Sequence, residues 1–185
     1  MILLKKLVLL GDSIRILGYG KMLPAELGEE WEVWQPENNC RFSKDLMRVV
    51  FDNQDKIKGA DVIHFNAGLW DLSHLFFDEP FTPLDEYLKN ITTIAKALKT
   101  MAPRVIFATT TPVRDDNPQN NNRDCERYNA AVVPVLRELG VEINDMYPVI
   151  YADFMANTND DRIHLSDKGN AIATRLVKEA VTKTV

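Results

Sequence analysis

The chain has 185 residues, enough for one domain with its own hydrophobic core, and we expect residues 1–185 to form a single domain. Its formal net charge of −5 leaves no basic stripe for a phosphate backbone, so nucleic acid is not an expected partner. Cys40 and Cys125 are too few and too far apart for a zinc ribbon or a redox motif. This favours free thiols, a cytoplasmic location and no cofactor.

The first ten residues superficially resemble a secretory signal. However, Lys5 and Lys6 interrupt the apolar run instead of preceding it, and no small-residue cleavage site follows before Gly11. We interpret this segment as the first strand of the mature fold. No later segment is long and apolar enough to cross a membrane, so we expect no membrane partner.

Short apolar runs and amphipathic patterns alternate along the chain. Five runs are typical of strands buried on both faces: Leu7–Leu10, Trp31–Trp34, Val62–Phe65, Val105–Thr109 and Val141–Ile143. Helices are predicted over Ser43–Lys58, Thr82–Thr100, Arg123–Leu139 and Ser166–Thr182, with Thr82 and Ser166 as caps. This alternation predicts an α/β fold: a three-layer α/β/α sandwich around a flavodoxin-like, parallel five-stranded sheet in the order 2-1-3-4-5.

The end of the first strand carries a candidate nucleophile. The apolar run stops at Gly11-Asp12-Ser13, and Gly11 allows the backbone to turn sharply, which leaves Ser13 at the mouth of the sheet. A serine there acts as a nucleophile only if a base lies within reach and a third group orients that base. The alternative is that Asp12 and Ser13 merely cap the next helix.

Two acid–histidine pairs are candidates for that base. In Asp161-Arg162-Ile163-His164, just before the last helix, Asp161 is positioned to fix the imidazole tautomer while Nε2 faces Ser13. Asp71 and His74 have the same spacing and also follow a strand. Spacing alone therefore leaves both pairs open.

The third strand offers two further polar residues. We interpret His64 as a core histidine; a metal site with Asp71 and His74 would lack a fourth ligand, so no metal is expected. Asn66 closes this strand, and its amide is within reach of an oxyanion beside Ser13, because neighbouring strands lie about 4.8 Å apart. Asn66 equally suits a turn in which Gly68 supplies a positive φ.

Gly11-Asp12-Ser13-Ile14 and Asp161-Arg162-Ile163-His164 together resemble motifs of the SGNH (GDSL) hydrolase superfamily. Its members are α/β/α esterases, lipases, deacetylases and thioesterases. The resemblance implies Ser13 as nucleophile, His164 as general base and Asp161 as its orienting acid, because the family's acid and base precede the last helix. It also implies an oxyanion hole built from the Ser13 N–H, a second backbone N–H and an asparagine side chain.

The sequence departs from the family at two motifs. The second motif carries a glycine that donates the backbone N–H, whereas residues 38–43 contain none, and Cys40 aligns best with it. The third motif reads Gly-x-Asn-Asp, and Trp70 occupies the asparagine position here. Because some branches read Asn-x-Gly-Leu, the resemblance assigns the oxyanion role to Asn66.

The implied activity is hydrolysis of a small-molecule ester through an acyl-enzyme. The chain lacks an insertion or apolar lid to bury a long acyl chain, which favours a short acyl group, above all acetyl. Arg41, Trp70 and Arg114 near the predicted mouth suit an acylated sugar. The alternatives are a short-chain lipid or thioester acylhydrolase and a non-catalytic sugar- or phosphate-binding module; the oligomeric state stays open.

Overall fold

The computed structural model describes residues 4–76 and 78–183. Its centre is a parallel five-stranded sheet in the order β2-β1-β3-β4-β5. The strands are β1 (Lys5–Leu10), β2 (Trp31–Trp34), β3 (Val62–Phe65), β4 (Arg104–Ala108) and β5 (Glu142–Asn144). The predicted fold class and strand order are confirmed.

Helices cover both faces of this sheet. A π-helical segment, Arg15–Tyr19, runs into α1 (Gly20–Leu27). The others are α2 (Ser43–Asp52), α3 (Gln54–Ile57), α4 (Leu84–Lys99), α5 (Asn122–Glu138), α6 (Met146–Tyr151), α7 (Phe154–Asn157) and α8 (Asp167–Thr182). Helix α1 packs against α8, while α2, α4 and α5 pack in a row. The predicted helix over residues 43–58 is divided at Asn53.

The two predicted helix caps have different outcomes. Ser166 caps α8, since its side chain accepts a hydrogen bond from the Gly169 N–H. The Thr82 prediction is wrong: α4 begins at Leu84 after Pro83, and no side chain caps it. Thr82 is buried and donates its N–H to the Asp71 carbonyl, 2.8 Å away, so it joins two loops instead.

The core follows the apolar runs. Leu7–Leu10 of β1 are fully buried, and burying each such side chain stabilises the fold by about 1.5–3 kcal/mol. His64 is also fully buried, and burial lowers its pKa to about 3, so the ring is neutral and pairs with Asn144 Nδ2 at 3.2 Å. This confirms His64 as a core histidine. Both cysteines are buried free thiols.

Candidate active site

A tight turn after β1 presents Ser13 at the carboxyl edge of the sheet. The register pairs Leu10 with Phe65, so Gly11 and Asn66 leave the sheet side by side. A Cβ at Gly11 would lie 1.9 Å from Asn66 Oδ1, and its φ is +155°. No side chain fits there, which explains the glycine before Asp12-Ser13.

A buried polar network supports this turn from below. Asp12 accepts hydrogen bonds from the Ile14 N–H (3.0 Å) and from Asn66 Nδ2 (2.8 Å). Burial raises the pKa of Asp12, an effect that these hydrogen bonds reduce. Asn66 Oδ1 in turn accepts from the Tyr19 hydroxyl at 2.8 Å. The position of Ser13 is therefore fixed by partners on β3 and on the following helix.

His164 and Asp161 form a hydrogen-bonded pair before α8. Asp161 Oδ2 lies 2.8 Å from His164 Nδ1, and Asp161 Oδ1 accepts the N–H groups of Ile163 and His164. Burial raises the pKa of Asp161, but these hydrogen bonds outweigh it and hold the pKa below its ordinary value. The ionised carboxylate fixes Nδ1 as the protonated nitrogen and leaves Nε2 for another partner.

His164 meets Ser13 at a cavity of about 340 Å³. Ser13 and His164 lie on its wall together with Phe42, Leu69, Trp70, Ser73, Leu75, Phe81, Gln119 and Ile163. The structure thus brings residue 13, after the first strand, and residue 164, before the last helix, to one space. Trp70, which was predicted to lie near the mouth of the site, lies on the wall of this cavity.

Comparison with known proteins now identifies the family. Residues 9–172 match the GDSL-like Lipase/Acylhydrolase family. The chain belongs to this family. Over 120 residues it is 32% identical to the GDSL esterase/lipase CPRD49 of Arabidopsis thaliana, which covers 55% of this chain and 47% of that protein. Over 162 residues it is 28% identical to the GDSL esterase/lipase WDL1 of Oryza sativa subsp. japonica. This match covers 77% of this chain and 62% of that protein. The chain thus spans less than two thirds of either relative.

Solved structures share the whole GDSL fold. The acetyl xylan esterase AlAXEase superposes with a TM-score of 0.80 at 20% identity, covering 95% of this chain and 99% of that one. A lipase/acylhydrolase from Enterococcus faecalis gives 0.81 at 17% identity, covering 96% and 95%. Axe2, an acetylxylan esterase from Geobacillus stearothermophilus, gives 0.78 at 18%, covering 100% and 98%. At these identities the likeness shows the fold.

None of the helices within residues 4–76 and 78–183 has both the length and the apolar character needed to span a bilayer.

The second GDSL motif does not supply the expected N–H. The Cys40 N–H donates to the Gly11 carbonyl at 3.1 Å, so it is occupied by the fold, and the thiol is fully buried. This corrects the assignment of Cys40 as an oxyanion donor. Arg41, predicted to bind substrate, has a φ of 50° and points toward Asp45 (3.8 Å) on α2, outside the cavity.

The Asn66 side chain is bound by two partners. One N–H of its amide is bound by Asp12 and its oxygen by Tyr19, so the side chain lies beneath the nucleophile turn and not on the cavity wall. One amide hydrogen of Asn66 is thus taken by Asp12, and its assignment as an oxyanion donor stays a prediction. Of the three predicted donors, the Ser13 N–H stays suited to the role, because it opens a helical segment and has no intrahelical acceptor.

The alternative acid–histidine pair does not form. Asp71 accepts hydrogen bonds from the Ser43 hydroxyl (2.6 Å) and N–H (2.9 Å), while His74 Nε2 lies 2.8 Å from Asp124 Oδ2 on α5. Within residues 4–76 and 78–183, no group of three or more His, Cys, Asp or Glu side chains is arranged to hold a metal ion. The structure therefore favours Asp161 and His164.

Gly68 is required for space and not for a positive φ. It is absent from the positive-φ glycines of the described residues, but a Cβ there would lie 1.9 Å from Thr110 Oγ1. The expectation of a left-handed turn is therefore wrong. The glycine instead allows the loop after β3 to pass close to the end of β4.

Arg114 holds the loop that carries Asp161 and His164. Its Nη2 donates to the Thr158 carbonyl (2.9 Å) and to Asp160 Oδ1 (3.1 Å), and its N–H donates to the Arg162 carbonyl (3.0 Å). This corrects its assignment as a substrate-binding residue. The guanidinium positions the Asp161–His164 loop from outside the cavity.

Arg114→Ala should therefore lower kcat by about ten- to a hundredfold with little change in KM, because small misplacements of a reacting group are this costly. Arg104→Ala is the matched control: Arg104 is equally half-buried and binds Glu142 and the end of α8 at the other edge of the sheet. Steady-state kinetics and thermal unfolding of both variants separate positioning from stability. Equal kcat values would contradict the role given to Arg114.

Asp71 links the loops that form the cavity wall, and the sequence does not reveal this. Its carboxylate holds Ser43, the neighbour of Phe42, and its carbonyl accepts the N–H of Thr82, the neighbour of Phe81. These wall residues lie in loops, where no periodic pattern shows which side chains point inward. Ser43 and Thr82 directly follow these aromatics, but their burial is known only from the structure.

Asp71 should make stability depend on pH. Burial raises its pKa from 3.8 to about 6, so the folded protein binds a proton that the unfolded chain has lost between about pH 4 and pH 6. The contribution of Asp71 to stability therefore falls as pH rises through this range, by about 3 kcal/mol in total. The free energies of unfolding of wild type and Asp71→Asn are measured in urea across this pH range. Their difference should change with pH. If the two free energies changed in parallel, the predicted contribution of Asp71 would be wrong.

Proposed function

We propose that the chain is a serine esterase that hydrolyses a small-molecule ester in two steps. Ser13 Oγ attacks the ester carbonyl while His164 Nε2 takes its proton, and the protonated imidazole then gives that proton to the departing alcohol. Water attacks the acyl-enzyme in the same way and releases the acid. The single observation that carries this proposal is that His164, whose Nδ1 lies 2.8 Å from Asp161 Oδ2, lines a cavity together with Ser13.

The surroundings of the triad suit these steps. Asp161 has a lowered pKa, so it is ionised near neutral pH and stabilises the imidazolium that forms on His164. The Ser13 N–H, at the start of a helical segment, is the donor proposed for the charge that develops on the carbonyl oxygen. No cofactor enters this mechanism.

Two substrate classes have support. The sequence favours a short acyl group such as acetyl on a carbohydrate, and acetyl xylan esterases share the fold. A short-chain lipid or thioester is the second candidate, because most residues around the cavity beside Ser13 are apolar.

A fluorophosphonate distinguishes the esterase from a binding module on the same fold. We expect the probe to modify Ser13, as located by mass spectrometry, and to abolish hydrolysis of p-nitrophenyl acetate. Labelling should be lost in His164→Ala and kept in His74→Ala, whose histidine binds Asp124. A folded, unlabelled wild-type protein without esterase activity would favour the binding module.

A further inference from the structure

Ser13 and His164 also border a second cavity. This second cavity has a volume of about 190 Å³. Its polar walls are formed by Asn159, Asp161, Asp167 and Asn170. The two cavities therefore share the proposed nucleophile and base.

The first cavity is unsuited to a sugar. Six of the residues that line it have apolar side chains: Phe42, Leu69, Trp70, Leu75, Phe81 and Ile163. Its Ser73 hydroxyl already donates to the Leu69 carbonyl at 3.0 Å. Among the described residues, Gln119 is the one other polar side chain on this wall besides Ser13 and His164, so sugar hydroxyls placed there would lose more hydrogen bonds to water than they regain, whereas an acyl chain would gain from the burial.

The second cavity has the opposite character. Asp167 is exposed in the first turn of α8, and its carboxylate accepts hydrogen bonds from hydroxyl groups. Asn159 and Asn170 both donate to the Leu165 carbonyl, which holds their amides in place beside His164. These groups suit an alcohol with several hydroxyls, next to the imidazole that protonates it.

We propose that the apolar cavity binds the acyl chain of the substrate and that the polar cavity binds a polyhydroxylated alcohol. The inference rests on the proposed esterase function and makes its substrate more specific. At about 340 Å³ the acyl side is of the size of small-molecule sites, far more than an acetyl group fills. The preferred substrate is therefore an ester of a polyol or sugar with a chain longer than acetyl.

A two-way substrate series tests this division. Acetyl, butyryl and hexanoyl esters of glycerol are compared with the same acyl esters of hexanol, as kcat/KM. Each methylene buried should raise kcat/KM about threefold to fourfold, so hexanoyl glycerol should exceed acetyl glycerol on the order of a hundredfold. The glycerol esters should exceed the hexanol esters about tenfold.

Paired variants locate the two preferences. Phe81→Ala should lower the hexanoyl-to-acetyl ratio severalfold, and Phe51→Ala, which removes an exposed phenylalanine from α2, should not. Asp167→Ala should lower the glycerol-to-hexanol ratio, while Asp85→Ala, in the first turn of α4, is the control for loss of a helix-start carboxylate.

The possible failures are distinguishable. If the fluorophosphonate labels Ser13 but acetyl esters are cleaved as fast as hexanoyl esters, or the two ratios do not respond to Phe81→Ala and Asp167→Ala, the division of the site is wrong and the esterase stands. If Ser13 is not labelled and no ester is cleaved, both the proposed function and this inference are overturned.

Discussion

Ser13→Ala should lower kcat for ester hydrolysis by on the order of 10⁵- to 10⁶-fold, the loss seen when a triad nucleophile is removed. The reason is geometric: Ser13 is the side chain that shares a cavity wall with His164 at the end of β1. The fold should survive, because the turn is held by Gly11, Asp12 and Asn66 and not by the Ser13 hydroxyl. Kinetics with p-nitrophenyl acetate and thermal unfolding measure the two effects.

Ser73→Ala is the comparison for this variant. Ser73 lines the same cavity, but its hydroxyl is bound by the Leu69 carbonyl, so we expect a loss within about tenfold. If Ser13→Ala retained a tenth of the wild-type kcat, or Ser73→Ala matched it in loss, the nucleophile assignment would be wrong.

His164→Ala should lower kcat almost as far as the serine variant, because the base and the nucleophile act as a unit. His74→Ala should keep kcat within a few-fold and instead reduce stability by about 1–3 kcal/mol, since the buried carboxylate of Asp124 loses a partner. The two variants thus separate activity from stability. Each is measured by kcat and by the free energy of unfolding in urea.

Rescue by added imidazole gives a further check on the base. A small imidazole should restore part of the activity of His164→Ala at the vacated position and none in Ser13→Ala. Loss of kcat in His74→Ala with retention in His164→Ala would reverse the assignment and give the role of the base to His74, which pairs with Asp124.

Local sequence was sufficient to predict the strands and the pairing of Asp161 with His164. Apolar runs such as Leu7–Leu10 match buried parallel strands, and the alternation with helices leaves few ways to arrange them. Asp161 and His164 were also predictable, because three residues of one loop suffice to join a carboxylate to an imidazole. The choice between this pair and Asp71 with His74 needed the family resemblance.

Hydrogen-bond donors were the least predictable part of the site. Cys40 and Asn66 lie where donors to an oxyanion were expected, but their partners, Gly11 and Asp12, come from another element of the fold. Arg114 was placed at the mouth from its position in the chain, and the structure turns its guanidinium toward Thr158. A residue's type shows that it can donate, whereas only its neighbours in space show what it donates to.

The sequence by itself determined the sheet and its order, because buried strands depend on residues close together in the chain, and its two terminal motifs led to the proposed triad through the family resemblance. The tertiary structure decided which polar groups are already satisfied and which side chains surround Ser13. These depend on contacts between loops far apart in sequence, such as that between Asp71 and Ser43, for which the chain carries no periodic signal.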